Sequence, residues 1–217
     1  MEINADFTIP AVVHAAAMPW VASPMPGVER RMLDRVGDEI ARATSIVRYA
    51  PGARFSPHVH GGGEEILVLE GVFQDEHGDY PAGAYVRNPP GSAHQPRTEV
   101  GATILVKLWQ FDPHDRTTVR LDTAAVPKLP FAEGAWVQPL HLDARESVSL
   151  QIWAPHAHVH IRSHEGLEAF VLEGGFEEAG EAFARHSWLR LPPGHDLEAA
   201  AGPRGARLWI KTGHLGP

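Results

Sequence analysis

A stretch of twenty residues, 52–71, decides the fold of this chain and reads GARFSPHVHGGGEEILVLEG. Its two histidines, His58 and His60, are two positions apart, so on a β-strand both imidazoles point to the same face. The glycines that follow them let the backbone turn sharply before it reaches Glu64. We therefore expect two imidazoles and one carboxylate to converge on one point.

A second stretch, 83–94, reads GAYVRNPPGSAH and delivers another histidine, His94, after a Pro-Gly turn. Three imidazoles and a carboxylate, without a thiolate, suit Fe(II), Mn(II), Zn(II), Ni(II) or Cu(II). We predict one divalent metal ion per chain, and of zinc, iron, manganese and nickel we favour zinc. The candidate ligands are His58, His60, Glu64 and His94.

The neighbouring acid, Glu65, is the rival carboxylate for this site. The second half of the chain keeps Glu168 at the position of Glu65 but has Leu167 at the position of Glu64. Because that half lacks the other ligands, we interpret Glu65 as structural.

The chain contains an internal repeat. The sequence VLEG at 68–71 recurs at 171–174, and PPG at 89–91 recurs at 192–194, both at an offset of 103 residues. A period this long indicates two duplicated domains. We predict an N-terminal arm over 1–28, a metal-binding barrel over 29–110, a linker over 111–134, and a degenerate barrel without a metal site over 135–217.

Composition limits the fold class and the partners. Short apolar runs bounded by Gly, Pro and Asp predict β-strands, and no stretch shows a long helical period. The absence of cysteine excludes disulfides and thiolate ligands, and the net charge of −8 argues against nucleic acid as a partner. We find no export signal and no membrane span, and expect a cytoplasmic protein.

The first stretch resembles cupin motif one, Gly-x5-His-x-His-x3-Glu-x6-Gly, from Gly52 to Gly71. The second resembles cupin motif two, with Thr98 where an asparagine often stands. The resemblance implies an all-β chain of two tandem double-stranded β-helix (jelly-roll) barrels, with the metal inside the mouth of the first barrel.

A more particular resemblance is to the cupin domain of ChrR-type anti-sigma factors. It rests on the segments 26–30 (PGVER), 49–52 (YAPG), 63–71 (GEEILVLEG) and 106–109 (VKLW). It implies a metal-binding regulatory or sensor module, connected with a stress response. Those factors hold their sigma factor with a separate helical domain whose zinc site uses Cys as well as His. We therefore expect this chain not to bind a sigma factor.

The second half carries its own run of histidines, HAHVH at 156–160. Pro51 matches Pro155 at an offset of 104 residues, so the halves differ by single-residue gaps. Counting from this proline, the positions of His58 and His60 fall on Arg162 and His164, and that of His94 falls on Leu197. We therefore predict a degraded site in the second half, with the HAHVH histidines on the surface.

Two functions from different classes fit the ligand set. The first is a sensor or regulatory module, and the alternative is a mononuclear non-haem Fe(II) dioxygenase acting on a small β-diketone or flavonol-type substrate. Both functions place an unidentified small molecule in the first barrel. A third interpretation gives the metal a purely structural role. No catalytic residue is identified, and exposed strand edges leave room for a homodimer. The further residues considered for the pocket, without an assignment, are Arg54, Tyr85, Arg87, Lys107 and Trp109.

Overall fold

The computed structural model describes residues 1–216. Within them every regular element is a β-strand except for two 3-10 turns, Ala15–Ala17 and Thr123–Ala125, which confirms the prediction of an all-β chain. None of these residues forms a helix long and apolar enough to cross a membrane.

The strands of the first part of the chain are β1 (Glu2–Ile3), β2 (Ala11–His14), β3 (Val21–Ala22), β4 (Val28–Gly37), β5 (Ala41–Tyr49), β6 (His58–Val59), β7 (Glu64–Asp75), β8 (Gly78–Pro81), β9 (Ala84–Asn88), β10 (Ala93–His94), β11 (Ala102–Leu108) and β12 (Val119–Asp122). Those of the second part are β13 (Leu129–Ala132), β14 (Ala135–Leu142), β15 (Ser147–Trp153), β16 (His158–Ile161), β17 (Leu167–Glu178), β18 (Glu181–Ala184), β19 (Ser187–Leu191) and β20 (Leu197–Thr212).

The chain divides into two compact units. The first contains 1–5 and 19–125, and the second contains 6–18 and the residues from Val126 onward. The first unit has a sheet in the order β1-β4-β5-β11-β7-β9-β12, and a small antiparallel pair of β6 with β10. The second has a sheet in the order β13-β14-β15-β20-β17-β19-β2. The two orders match strand for strand, as the internal repeat predicts.

Each sheet ends on a strand from a segment that the sequence does not mark as part of a barrel. Strand β12, in the connection, pairs with β9 of the first unit, and β2, near the N-terminus, pairs with β19 of the second. The residue ranges proposed for the arm, the two barrels and the linker therefore stay predictions.

Alternation along β7 shows how the sequence builds the first interior. Ile66 and Val68 belong to the buried apolar cluster of this unit, together with Phe73. Because side chains alternate across a strand, Glu64 shares the face of Ile66 and Val68, whereas Glu65 lies on the opposite face. The position of Glu64 at the start of β7 therefore directs its carboxylate into the barrel.

Candidate metal centre

Two short strands bring the three predicted histidines together. His58 on β6 lies directly opposite His94 on β10 in an antiparallel pair. His60 follows two residues after His58, and its backbone N–H donates to the carbonyl of Ser92, 2.9 Å away, in the turn before β10. The three ring centroids are separated by 5.1 Å (His58 to His60), 4.9 Å (His58 to His94) and 4.5 Å (His60 to His94).

The triple-glycine loop passes directly beneath two aromatic rings. A Cβ atom added to Gly62 would lie 2.4 Å from the ring of Trp109, and one added to Gly63 would lie 2.4 Å from the ring of Phe111. Gly63 also has a φ of +77°, which favours glycine. The loop needs glycine for close packing as well as for its turn, and this packing fixes where β7 begins.

The four predicted ligands form one cluster. Each offers a ligand atom, and all four atoms lie within 4.8 Å of one another. The Nε2 atoms of His60 and His94 are each 3.3 Å from Oε2 of Glu64. His60, Glu64 and His94 are buried, whereas His58 is partly exposed. The structure thus brings together all four residues that the sequence nominated.

Hydrogen bonds at Nδ1 orient each imidazole from outside the cluster. Nδ1 of His60 is 2.9 Å from Oγ of Ser92, and Nδ1 of His58 is 3.1 Å from the carbonyl oxygen of Ser56. Nδ1 of His94 is 3.2 Å from Oδ2 of Asp75. Metal-binding histidines commonly use their second ring nitrogen in this way.

The inward nitrogens of two histidines are left without such a bond. Nε2 of His60 and Nε2 of His94 are buried and make no well-directed hydrogen bond within residues 1–216, although each lies 3.3 Å from Oε2 of Glu64. An unsatisfied buried polar atom costs free energy, so native structures rarely keep one without a reason. The donor set of the cluster fits a divalent metal ion.

The Glu64 carboxylate is held by a chain of hydrogen bonds that sequence reasoning missed. Nδ2 of Asn88 donates to Oε2 of Glu64 at 3.2 Å, and Arg120 donates to Oδ1 of Asn88 at 2.7 Å. Burial by itself raises the pKa of Glu64, but His60, His94 and Asn88 outweigh it and hold the pKa below its usual value. Glu64 therefore stays ionised, as a metal ligand must.

Asp75 corrects one interpretation of the sequence. The pair Asp75-Glu76 reads most simply as a solvated turn, yet Asp75 is only 1% exposed. Besides His94, it accepts hydrogen bonds from the hydroxyl of Tyr80 at 3.2 Å and the backbone N–H of His77 at 2.7 Å. Burial raises its pKa, and these bonds, with that of His94 the largest, hold it below its usual value. Strand alternation was the available signal, because Asp75 lies two residues after the core residue Phe73.

A cavity of about 690 Å³ opens on the cluster. His58, His60 and Glu64 form part of its wall. Small residues of β5, such as Ala41, Ala43 and Ser45, also line it and leave room for the space. The cluster therefore has a side that is open to a space of the size usual for small-molecule sites.

The residues left unassigned by sequence separate into three groups. Trp109 lines the cavity, and it is 45% exposed. Tyr85 is buried elsewhere and donates a 2.6 Å hydrogen bond to Glu65, which agrees with the structural reading of that acid. Lys107 and Arg87 are buried as well, and neither lines the cavity. Arg54 lines a separate, smaller pocket.

The second unit has apolar side chains where the first has its ligands. Ile161 lies opposite Leu197, as His58 lies opposite His94, and Leu167 begins β17 as Glu64 begins β7. All three belong to the buried apolar cluster of this unit. The alignment of His58 with Arg162 was therefore wrong by one residue, because the single-residue gap between the repeats lies elsewhere.

The HAHVH run shows its alternation clearly. On β16, His158 and His160 are exposed, whereas Val159 and Ile161 are buried. His156 precedes the strand in a turn, with a φ of 61°. The histidines therefore lie outside the apolar interior of the second unit.

Comparison with known proteins places these features in a family. The ChrR Cupin-like domain family matches the chain twice, over residues 8–112 and 116–216. Comparison with curated proteins gives no significant match.

Solved structures share the fold at low sequence identity. A candidate dioxygenase from Nostoc punctiforme is 17% identical, with a TM-score of 0.76 over 97% of this chain and 85% of that one. The Escherichia coli pirin YhhW, in complex with nickel(II), is 13% identical, with a TM-score of 0.68 over 94% and 98%. A variant of Bacillus subtilis oxalate decarboxylase is 12% identical, with a TM-score of 0.65 over 94% and 77%.

These likenesses confirm the predicted pair of tandem jelly-roll barrels. Because the family match extends over both repeats, this chain belongs to the ChrR Cupin-like domain family.

Proposed function

We propose that the first unit binds one divalent metal ion through His58, His60, Glu64 and His94, and presents it to a small organic molecule in the cavity. In this proposal the chain is a regulatory or sensor module whose ligand occupancy is read by another component of the cell. The observation that carries it is the convergence of the buried Nε2 atoms of His60 and His94 on Oε2 of Glu64, without a well-directed hydrogen bond. We keep a cytoplasmic location as part of the proposal.

The surroundings of the cluster support a metal better than a self-contained hydrogen-bonded network. In such a network both nitrogens would make well-directed hydrogen bonds. Here Nδ1 bonds outside the cluster, and Nε2 approaches Oε2 of Glu64 at 3.3 Å without such a bond. An ionised carboxylate beside two imidazole nitrogens supplies ligands that zinc, iron, manganese and nickel all accept. The pirin neighbour was solved with nickel(II), so a cupin barrel is a suitable frame for such an ion.

The cavity distinguishes a ligand-binding role from a purely structural one. A structural metal site is usually closed by protein ligands. Here three of the four residues form part of the wall of a 690 Å³ cavity, so a small molecule in it would reach the metal. The family match to the ChrR Cupin-like domain favours the regulatory reading of such a site.

The same cavity favours one second candidate, a non-haem Fe(II) dioxygenase acting on a small β-diketone or flavonol. Iron would supply the oxygen chemistry, and the protein would position the substrate and exclude water. One structural neighbour is described as a candidate dioxygenase. Substrate-dependent oxygen uptake after anaerobic loading with Fe(II), abolished by His94→Ala, would favour this candidate over the sensor.

Metal analysis of matched variants tests the proposal. The protein is stripped with a chelator, loaded separately with Zn(II), Fe(II), Mn(II) and Ni(II), desalted, and analysed for elements. We expect one ion per chain for the native protein, loss of the ion in His94→Ala, and retention in His158→Ala, which removes an exposed histidine of the second unit. Retention in His94→Ala, or loss in His158→Ala, would refute the assignment.

A further inference from the structure

The cavity of the first unit carries a positive charge that the metal proposal does not use. Arg30, on β4, lines the cavity and is half-buried. Its guanidinium donates to the hydroxyl of Ser23, which is neutral. No carboxylate within residues 1–216 lies within ion-pair distance of Arg30, so most of its five N–H donors are available to a ligand.

A second arginine, Arg35, adds to the positive potential of the cavity, but backbone carbonyls already occupy part of its guanidinium. Arg35 lines the same cavity, and its guanidinium donates to the backbone carbonyls of Gly37, at 3.3 Å, and Asp38. Burial lowers the pKa of Arg30, and repulsion by Arg35 lowers it further, whereas Tyr49 acts in the opposite direction. An arginine remains charged despite such shifts, so an entering anion would relieve an existing repulsion.

Tyr49 provides a neutral donor beside this charge. Its side chain lines the cavity, and its hydroxyl has no hydrogen-bond partner within the described part of the chain, 1–216. Burial, followed by repulsion from Glu64, raises the pKa of Tyr49, while Arg30 opposes the shift. The hydroxyl therefore keeps its proton and can donate it to an anionic oxygen.

The acidic side chains in the cavity wall do not neutralise the positive charge of Arg30. The two carboxylates are Glu64, whose repulsion at Tyr49 the proposed metal ion would offset, and Glu39, which is exposed. Most of the remaining wall is apolar, with Val28, Val47 and Leu108 among its residues. A ligand that satisfies this wall needs an anionic end and an apolar body.

We infer that the cavity binds an organic acid with an apolar body, whose carboxylate is held by the Arg30 guanidinium and the Tyr49 hydroxyl. The inference rests on the proposed function, because the cavity is the one that opens on the proposed metal ligands. Guanidinium and carboxylate form strong charge-assisted hydrogen bonds, and partial burial strengthens them.

Octanoate and its neutral analogue octanamide test this inference by isothermal titration calorimetry. Both probes have the same apolar tail, so the comparison isolates the charge. We expect octanoate to bind about tenfold or more tightly than octanamide, since a hydrogen bond to a charged group contributes about 1.5 to 3 kcal/mol. Equal affinities, or no binding of either probe, would overturn the inference without any variant.

Variants locate the anion site. Arg30→Met should weaken octanoate about tenfold or more and leave octanamide unchanged, and Tyr49→Phe should weaken octanoate by a smaller factor. Arg48→Met, which removes an exposed arginine paired with Glu29, is the matched control and should bind both probes as the native protein does. Thermal unfolding of each variant shows whether it is folded. Native octanoate affinity in folded Arg30→Met would overturn the assignment.

Metal content separates this inference from the proposed function. Each titration is run on metal-free and on zinc-loaded protein, and the zinc content of every sample is measured. If zinc fails to bind, the proposed function fails, while the charge preference in the metal-free protein still reports on Arg30. If zinc binds stoichiometrically and octanoate shows no preference over octanamide, only the inference fails.

Discussion

The two units share a strand order and a buried lysine, and this common part indicates what the fold requires. Lys107 on β11 is buried and donates to Oγ1 of Thr44 at 2.9 Å. Lys211 on β20 occupies the corresponding position, is also buried, and pairs with Glu146 at 2.9 Å. Lys107 does not line the cavity of the first unit, so we assign both lysines to the framework rather than to function.

The interiors differ in a consistent way. Tyr49 of the first unit pairs with Ala102, and Trp153 of the second pairs with Ala206 at the corresponding position. Trp153 is 2% exposed and belongs to the apolar cluster, whereas Tyr49 lines a cavity. Large apolar side chains thus fill one barrel, while the other keeps space and polar atoms. We therefore place the proposed function in the features of the first unit that the second unit lacks.

The largest expected effect tests the common part. Lys211→Met should lower the free energy of unfolding by about 3 to 5 kcal/mol, because it leaves the buried Glu146 carboxylate without this partner. Lys107→Met should lower it by about 1.5 to 3 kcal/mol, because it removes a charged donor to the Thr44 hydroxyl. Denaturant titration of metal-free protein measures both. A large loss for one lysine and none for the other would show that the framework is not shared.

The glycine loop tests a steric difference between the units. Gly62→Ala should cost about 1 to 3 kcal/mol of unfolding free energy, because its Cβ would overlap the ring of Trp109. Trp109→Ala in the same chain should remove the part of that cost that comes from the ring, which a double-mutant cycle detects, while the 2.7 Å approach to the Trp109 Cα remains.

The matched position in the second unit serves as the control for this loop. Glu165 corresponds to Gly62 and is exposed, so Glu165→Ala should change stability by no more than about 0.5 kcal/mol. Additive effects of Gly62→Ala and Trp109→Ala would contradict the packing account of the triple glycine.

Asp75 and Glu178 occupy corresponding hairpin positions, and only Asp75 contacts a proposed ligand. Asp75→Asn should weaken zinc binding about 10 to 100-fold, the range seen when a group that orients a metal-binding histidine is changed. Glu178→Gln should leave zinc affinity as it is. Competition with a chromogenic chelator measures both, and equal effects would mean that Asp75 does not orient His94.

The smallest expected effect concerns stability without metal. His94→Leu introduces the side chain that the second unit carries as Leu197. It removes a buried Nε2 that makes no well-directed hydrogen bond, and this gain offsets the loss of the Nδ1 bond to Asp75 and of the 3.3 Å approach to Glu64. Asp75 keeps the Tyr80 hydroxyl and the His77 N–H. Metal-free stability should therefore change by no more than about 1 kcal/mol, although zinc binding is lost. A loss of several kcal/mol would mean that His94 is part of the framework.

The sequence predicts the fold and the composition of the cluster well, because both depend on local spacing. The His58-x-His60 pair and the start of β7 at Glu64 need only strand alternation and a glycine turn. The chain from Arg120 through Asn88 to Glu64 joins three separate strands, so no local pattern reveals it.

Register and cavity walls were harder to predict, for physical reasons. A one-residue shift exchanges the two faces of a strand, and the alignment through Arg162 made that error. The β4–β5 pairing shifts register between Met32 and Asp34, so simple alternation fails along β4 between Arg30 and Arg35. This β-bulge places both arginines on the cavity side of β4, and no pattern in the sequence marks the bulge.

The central claim is that one unit holds a metal and the other does not, and anomalous X-ray diffraction from crystals of the zinc-loaded protein tests it most directly. Our account predicts one strong peak per chain, about 2.0 to 2.2 Å from nitrogen atoms of His58, His60 and His94 and a carboxylate oxygen of Glu64. A peak bound instead by His158 and His160 of the second unit, with the four residues of the first unit free of metal, would contradict it.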